Sequence, residues 1–139
     1  MSMQISLVPV EHIESVWHSV ERYIADALSY YPGRYTVEDI KIGLLTEPRQ
    51  LWLAFDGAVI YGVVGTHVLT YPRMRTLFMH FIGGDEGLTW KAPMLVVLQK
   101  FARDNDCKLL EAQGRTGWKK IFESDGLKTR SICFDIPVE

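Results

Sequence analysis

His80 and Glu111 are the two residues whose surroundings best suit a proton acceptor. Glu111 stands in the short apolar run KLLEA at 108–112. A carboxylate flanked by Leu110 and Ala112 stands where a base for an amine could act. Its plainer role is that of a sheet-face residue paired with Lys108 or Arg115. His80 lies inside TLFMHFI at 76–82. There a neutral imidazole can act as a base or can be a structural side chain with one hydrogen-bonded nitrogen. Gly83, Gly84 and Gly87 follow. Free backbone N–H groups at a strand–glycine–helix junction can hold an anion, while the same glycines also serve a plain turn. Asp85 and Glu86 oppose an anion by like-charge repulsion, and Lys91 offsets them only by folding back. Arg115 and Lys119 can meet phosphates or can be solvated. Tyr30, Tyr31 and Tyr35 surround Pro32-Gly33, and tyrosines with polar tips line substrate clefts and protein interfaces. His12, His18, His67 and His80 are scattered, and His12 and His18 miss the i, i+4 spacing of two ligands on a helix, so no metal site is expected.

The stretch 76–106 positions most of these groups. Residues 76–82 are long enough for a strand and too short for a helix. Gly83 and Gly84 are expected to turn the chain. Trp90, Met94, Val97, Leu98, Phe101 and Ala102 then fall on one helical face. Pro93 is tolerated only in a first turn, so the helix is expected to start near Thr89, with 83–88 as a loop. Upstream, QISLVPV at 4–10 reads as a strand, and Ile13, Val16, Trp17, Val20, Ile24, Ala27 and Leu28 mark a helix. Thr36 is a good N-cap for a second helix that ends before Pro48. QLWLAF at 50–55 and the long run 58–70 make a hairpin around Asp56-Gly57, with Gly62 and Gly65 marking a bulge or bend. Residues 108–112 form a strand and 118–124 a short helix stopped by Gly126. Residues 127–136 are expected to return as a last strand, with Ile132, Phe134 and Ile136 on one face. The order is β-α-α-β-β-β-α-β-α-β. That is one α/β (α+β) domain over residues 1–139, a mixed, mainly antiparallel sheet with helices on both faces.

Composition narrows the function class. The chain has 139 residues, 47% of them hydrophobic and 23% charged, with a net charge of −2. That balance fits one packed core and argues against a nucleic-acid partner, which would call for a basic face. No apolar run approaches the ~18 residues of a membrane span, and no signal peptide is visible, so a cytoplasmic protein is expected. Cys107 and Cys133 fall in expected strands and read as two buried free thiols.

The element order resembles the GNAT superfamily of acyl-CoA-dependent N-acyltransferases over nearly the whole chain. Two local features carry the likeness: the strand–glycine–helix stretch at 76–105 and the ending Gly117-Trp118-Lys119-Lys120-Ile121-Phe122 through Gly126-Leu127. The combination YPR…FIGG…GRTGWKKI…GL also resembles small GNAT-like proteins of bacteriophages and prophages. The resemblance implies acetyl-CoA held in a splay between the strands at 76–82 and 108–112. Backbone groups of Phe81, Ile82, Gly83 and Gly84 would hold it, with Gly87 and Lys91 nearby. Glu111 or His80 would take the proton of a small-molecule amine. Two departures stand out. The loop Gly83-Gly84-Asp85-Glu86-Gly87 replaces the family's Gln/Arg-x-x-Gly-x-Gly/Ala pattern. Phe122 stands where many members carry a tyrosine that protonates the leaving thiolate. The alternative is a catalytically inactive GNAT-fold phage protein with a structural, assembly or regulatory role. It would have a closed cleft and a protein partner at Tyr30, Tyr31 and Tyr35, as a homodimer or a virion component in the host cytoplasm.

Overall fold

A computed structural model describes residues 3–85 and 89–138. Alternation along the strands builds two apolar layers on one sheet. Strand β2 (Arg49–Asp56) sends Leu51 and Leu53 to one face and Trp52 and Ala54 to the other. Helix α1 (Ile13–Leu28) covers the first face with Ile13, Trp17, Val20, Tyr23 and Ile24, and α2 (Val37–Thr46) adds Ile40 and Leu44. Helix α3 (Lys91–Asp104) covers the second face with Met94, Leu95, Leu98 and Ala102. Each large side chain so buried contributes about 1.5–3 kcal/mol, so neither helix can leave its face cheaply.

The sheet runs β1 (Gln4–Leu7), β2, β3 (Val59–Thr70), β4 (Arg75–Gly84) and β5 (Leu109–Ala112), in chain order across the sheet. All neighbours are antiparallel except β4 and β5, which are parallel and joined by α3. A last helix, α4 (Gly117–Ser124), follows β5. Local chemistry explains several boundaries. Thr36 and Asp39 form a reciprocal capping box at the start of α2. Gly57 takes φ +58° in the β2–β3 hairpin and Gly126 takes φ +93° after α4, as the expected turn and stop require.

The structure departs from the sequence expectations at four places. Gly83 and Gly84 belong to β4 rather than to a turn, and neither has a positive φ. They are glycines because neighbours crowd them: a Cβ on Gly83 would stand 2.4 Å from the Tyr23 carbonyl oxygen, and one on Gly84 would stand 2.7 Å from Trp90. Helix α3 starts at Lys91, two residues later than expected, which still leaves Pro93 in the first turn. Cys107 is buried, whereas Cys133 is exposed. The expected last strand does not form: residues 127–138 hold no strand, and Ile132, Phe134 and Ile136 are 74%, 87% and 82% exposed. Their alternation is real, but a strand needs a hydrogen-bonded neighbour, and among the described residues this stretch pairs with none.

Candidate functional site

The site begins with one extra residue. Gly65 and Thr66 of β3 are consecutive, yet they pair with Phe81 and Met79, so His80 is a bulge in β4. A bulge bends its strand and redirects a side chain. On the other side, β4 pairs with β5 only from Thr76–Leu109 to Met79–Ala112. Beyond Met79 the β5-facing backbone edge of β4 has no strand partner among the described residues, and a cleft opens there, lined by Phe81 and Ile82 from β4 and by Gln113 and Gly114 after β5.

The cleft has two lobes of about 290 Å³ each. Ala27, Ile82, Arg115 and Trp118 line both and join them. The first lobe lies between the α1–α2 corner, β3, β4 and α4. Its wall includes Tyr31, Arg34, Tyr35, His67, Phe78, His80, Trp118 and Phe122. The second lies at the end of β4 and includes Asp26, Tyr30, Gly83, Gly84, Asp85 and Trp90.

Burial and neighbouring charge hold the first lobe's imidazoles neutral. Burial first, then Arg49 and His67, push His80 down to a pKa of about 4. Burial first, then Arg49, lowers His67 as well, and Glu47 opposes the shift. The two rings sit 5.9 Å apart, and Tyr35 meets His80 edge-on at 4.6 Å. Arg49 Nη1 stands 3.4 Å from His80 Nδ1. A guanidinium only donates, so this contact leaves Nδ1 as acceptor and the proton on Nε2. His80 then has no free lone pair for an amine proton. His67 keeps one, and among the described residues it makes ring contacts with Phe78 and His80 and no hydrogen bond.

In the second lobe the Asp85 carboxylate is engaged. The Tyr23 hydroxyl lies 3.0 Å from both Asp85 Oδ2 and the Ile60 carbonyl oxygen, and it accepts from Arg22 at 2.8 Å. Burial and this Asp85 contact raise the Tyr23 pKa. The Asp85 backbone N–H donates to the Tyr61 carbonyl at 2.8 Å. The Trp90 Nε1–H is buried without a hydrogen-bond partner among the described residues, a costly arrangement that a ligand acceptor would relieve.

The other expected site residues separate. Phe81, Ile82, Gly83 and Gly84 line the cleft, but Gly87 and Glu86 lie outside the described residues. Lys91 is 7% exposed and ion-paired with Asp125, which ties the start of α3 to the end of α4. Glu111 pairs in register with Phe78 on β5 and lines neither lobe. Tyr31 and Tyr35 line the first lobe and Tyr30 the second, where the Arg115 guanidinium stacks 3.6 Å over the Tyr30 ring. Sequence reasoning missed His67, Arg34 and Trp90 as wall residues. Only the β3–β4 register brings His67 beside His80. Among the described residues no cluster of metal-binding side chains occurs, and no helix is long and apolar enough to cross a membrane.

No family model matches the chain, and no curated protein matches it by sequence. Solved structures match it by shape. The fold is that of the GNAT acetyltransferases. An aminoglycoside acetyltransferase from an uncultured soil metagenomic sample superimposes with a TM-score of 0.75 at 13% identity, over 100% of both chains. Aminoglycoside N-acetyltransferase AAC(6')-Iy in complex with CoA gives 0.71 at 14%, over 98% of this chain and 95% of that one. A transcriptional regulator from Bacillus halodurans C-125 gives 0.76 at 14%, over 99% and 100%. At such identities the likeness is one of fold alone.

Proposed function

We propose that this protein is an acetyl-CoA-dependent N-acetyltransferase acting on a small amine. The observation that carries the reading is the His80 bulge, with strand pairing that stops at Met79 and Ala112 and opens a two-lobed cleft. An open cleft is the opposite of what an inactive scaffold calls for.

The second lobe suits the cofactor arm. The free β4 edge at residues 81–84 offers amide donors and acceptors in strand geometry, and the Trp90 N–H supplies one more donor. The first-turn N–H groups of α3 at Lys91 and Ala92 add the partial positive charge of a helix start. Lys91 acts here through its Asp125 pair, by holding α3 in place. Acetyl-CoA supplies an acyl group activated as a thioester. The reaction forms an N–C amide bond and breaks the C–S bond. The amine proton passes to neutral His67, directly or through water, and the thiolate takes a proton from solvent because Phe122 has none to give. Calorimetric titration with acetyl-CoA tests this. We expect saturable binding, and no heat at millimolar cofactor would overturn the reading.

The exposed C-terminal stretch favours a homodimer as well. Ile132, Phe134 and Ile136 alternate, and among the described residues β5 is an edge strand paired with β4 alone. One chain thus carries both an unpaired edge and an unpaired strand pattern. Reciprocal exchange between two copies satisfies both by a two-fold operation. Sedimentation velocity checks this: we expect a dimer for the full chain and a monomer after deletion of residues 129–139. A full chain that sediments as a monomer excludes the exchange.

A further inference from the structure

The first lobe also has a character that selects the acceptor, on the acyl-transfer reading of the cleft. Its wall is aromatic on both sides. Trp118 and Phe122 stack at 5.2 Å with a 23° tilt on one side. Tyr35, His67, Phe78 and His80 form a chain of ring contacts on the other. Between two such walls a flat apolar body is held by area burial and ring contacts. The charged side chains on that wall are Arg34 and Arg115, and no aspartate or glutamate lines it among the described residues. Arg49 lies just behind His80, with Glu47 3.5 Å from its Nε. Arg34 is exposed and, among the described residues, makes no hydrogen bond or ion pair, which leaves its guanidinium at the rim.

A polycation is the wrong guest for this wall. Each ammonium brought beside Arg34 and Arg115 is repelled, and no carboxylate line offsets the loss of water. A carboxylate is the right one, since a guanidinium holds it through two parallel hydrogen bonds. One amine must also enter uncharged to attack. We propose that the acceptor is an aromatic amino acid: a ring between the aromatic walls, a carboxylate on Arg34, and a single primary amine presented toward the β4 bulge. The aminoglycosides acted on by several proteins of this fold are polycations and do not meet these requirements.

Mass-spectrometric detection of N-acetyl product, with the full chain and acetyl-CoA, tests this. The probes are L-phenylalanine, phenethylamine (the same ring and amine without the carboxylate), spermidine and kanamycin. We expect kcat/KM for phenylalanine to exceed that for phenethylamine by about tenfold, and that for spermidine or kanamycin by about a hundredfold or more. Arg34→Gln should raise KM for phenylalanine by about tenfold and leave phenethylamine within about twofold, a split that general damage to the fold would not produce. Spermidine or kanamycin acetylated as well as phenylalanine overturns the inference. So does acetyl-CoA binding without product from either aromatic probe. Calorimetry separates the two readings. Heat with acetyl-CoA and none with phenylalanine refutes the acceptor class alone, and no heat with acetyl-CoA refutes the acyl-transfer reading beneath it.

Discussion

Acidification should weaken this fold in a window set by His80. The ring sits on the β4 bulge between Tyr35, Phe78 and Phe81, with the Arg49 guanidinium at 3.4 Å. Its pKa falls from 6.5 to about 4, burial being the larger cause and Arg49 the next. In the unfolded chain the same ring titrates near its ordinary value of about 6.5. Below that pH the unfolded state takes a proton that the folded state refuses. Stability present above about pH 6.5 is therefore lost as pH falls to about 4. At face value this is worth about 3 kcal/mol, and the ring's remaining solvent contact reduces it to about 1–2 kcal/mol. His67, shifted the same way, adds loss of the same sign. Two assays read this. Urea midpoints of the parent and of His80→Gln, measured from about pH 7 to about pH 4.5, should converge as the pH falls, because the variant lacks one of the titrating groups. NMR titration of the ring C–H signals should place His80 near pKa 4. Arg49→Gln should raise that value only in part, since burial remains. A His80 that titrates near 6.5, or a stability gap between parent and variant that ignores pH, would refute the reasoning about this lobe.

Three further perturbations probe the scaffold. Gly83→Ala places a Cβ 2.4 Å from the Tyr23 carbonyl oxygen; because the obstacle is backbone, denaturant midpoints should show a loss of about 1–3 kcal/mol. Asp125→Ala leaves the buried Lys91 ammonium unpaired. The cost should be about 2 kcal/mol, below the range for a fully buried pair because Asp125 keeps some solvent contact, and adding Lys91→Met should recover most of it. Tyr23→Phe removes the hydroxyl shared by Arg22, Asp85 and the Ile60 carbonyl. It should cost about 1–2 kcal/mol in thermal unfolding and leave a freed Asp85 charge that weakens acetyl-CoA binding in calorimetry.

Local rules make much of the scaffold legible in the sequence. The 3.6-residue spacing from Ile13 to Leu28 and the alternation through residues 50–55 specify which side chains face a core, and they do so whatever the core turns out to be. The Thr36 cap, the Asp56-Gly57 hairpin, the Gly126 stop and the place of Pro93 rest on backbone sterics within a few residues. Functional roles were less legible, because they depend on what stands across a gap. Gly83 and Gly84 look like a turn in the chain and are contact surfaces for Tyr23 and Trp90 in the fold. Glu111 has the neighbours of a base in sequence, yet its β5 register leaves it off the cleft wall. His67 carries no local signal and enters the site because the bulge on the next strand sets its register against Phe78. Ile132, Phe134 and Ile136 show a strand pattern that pairs with no strand among the described residues. Periodicity and turn chemistry are properties of neighbours along the chain, so the sequence alone determines them. Bulge position, strand divergence and shared pKa shifts are properties of neighbours through space, and only the packed sheet decides them.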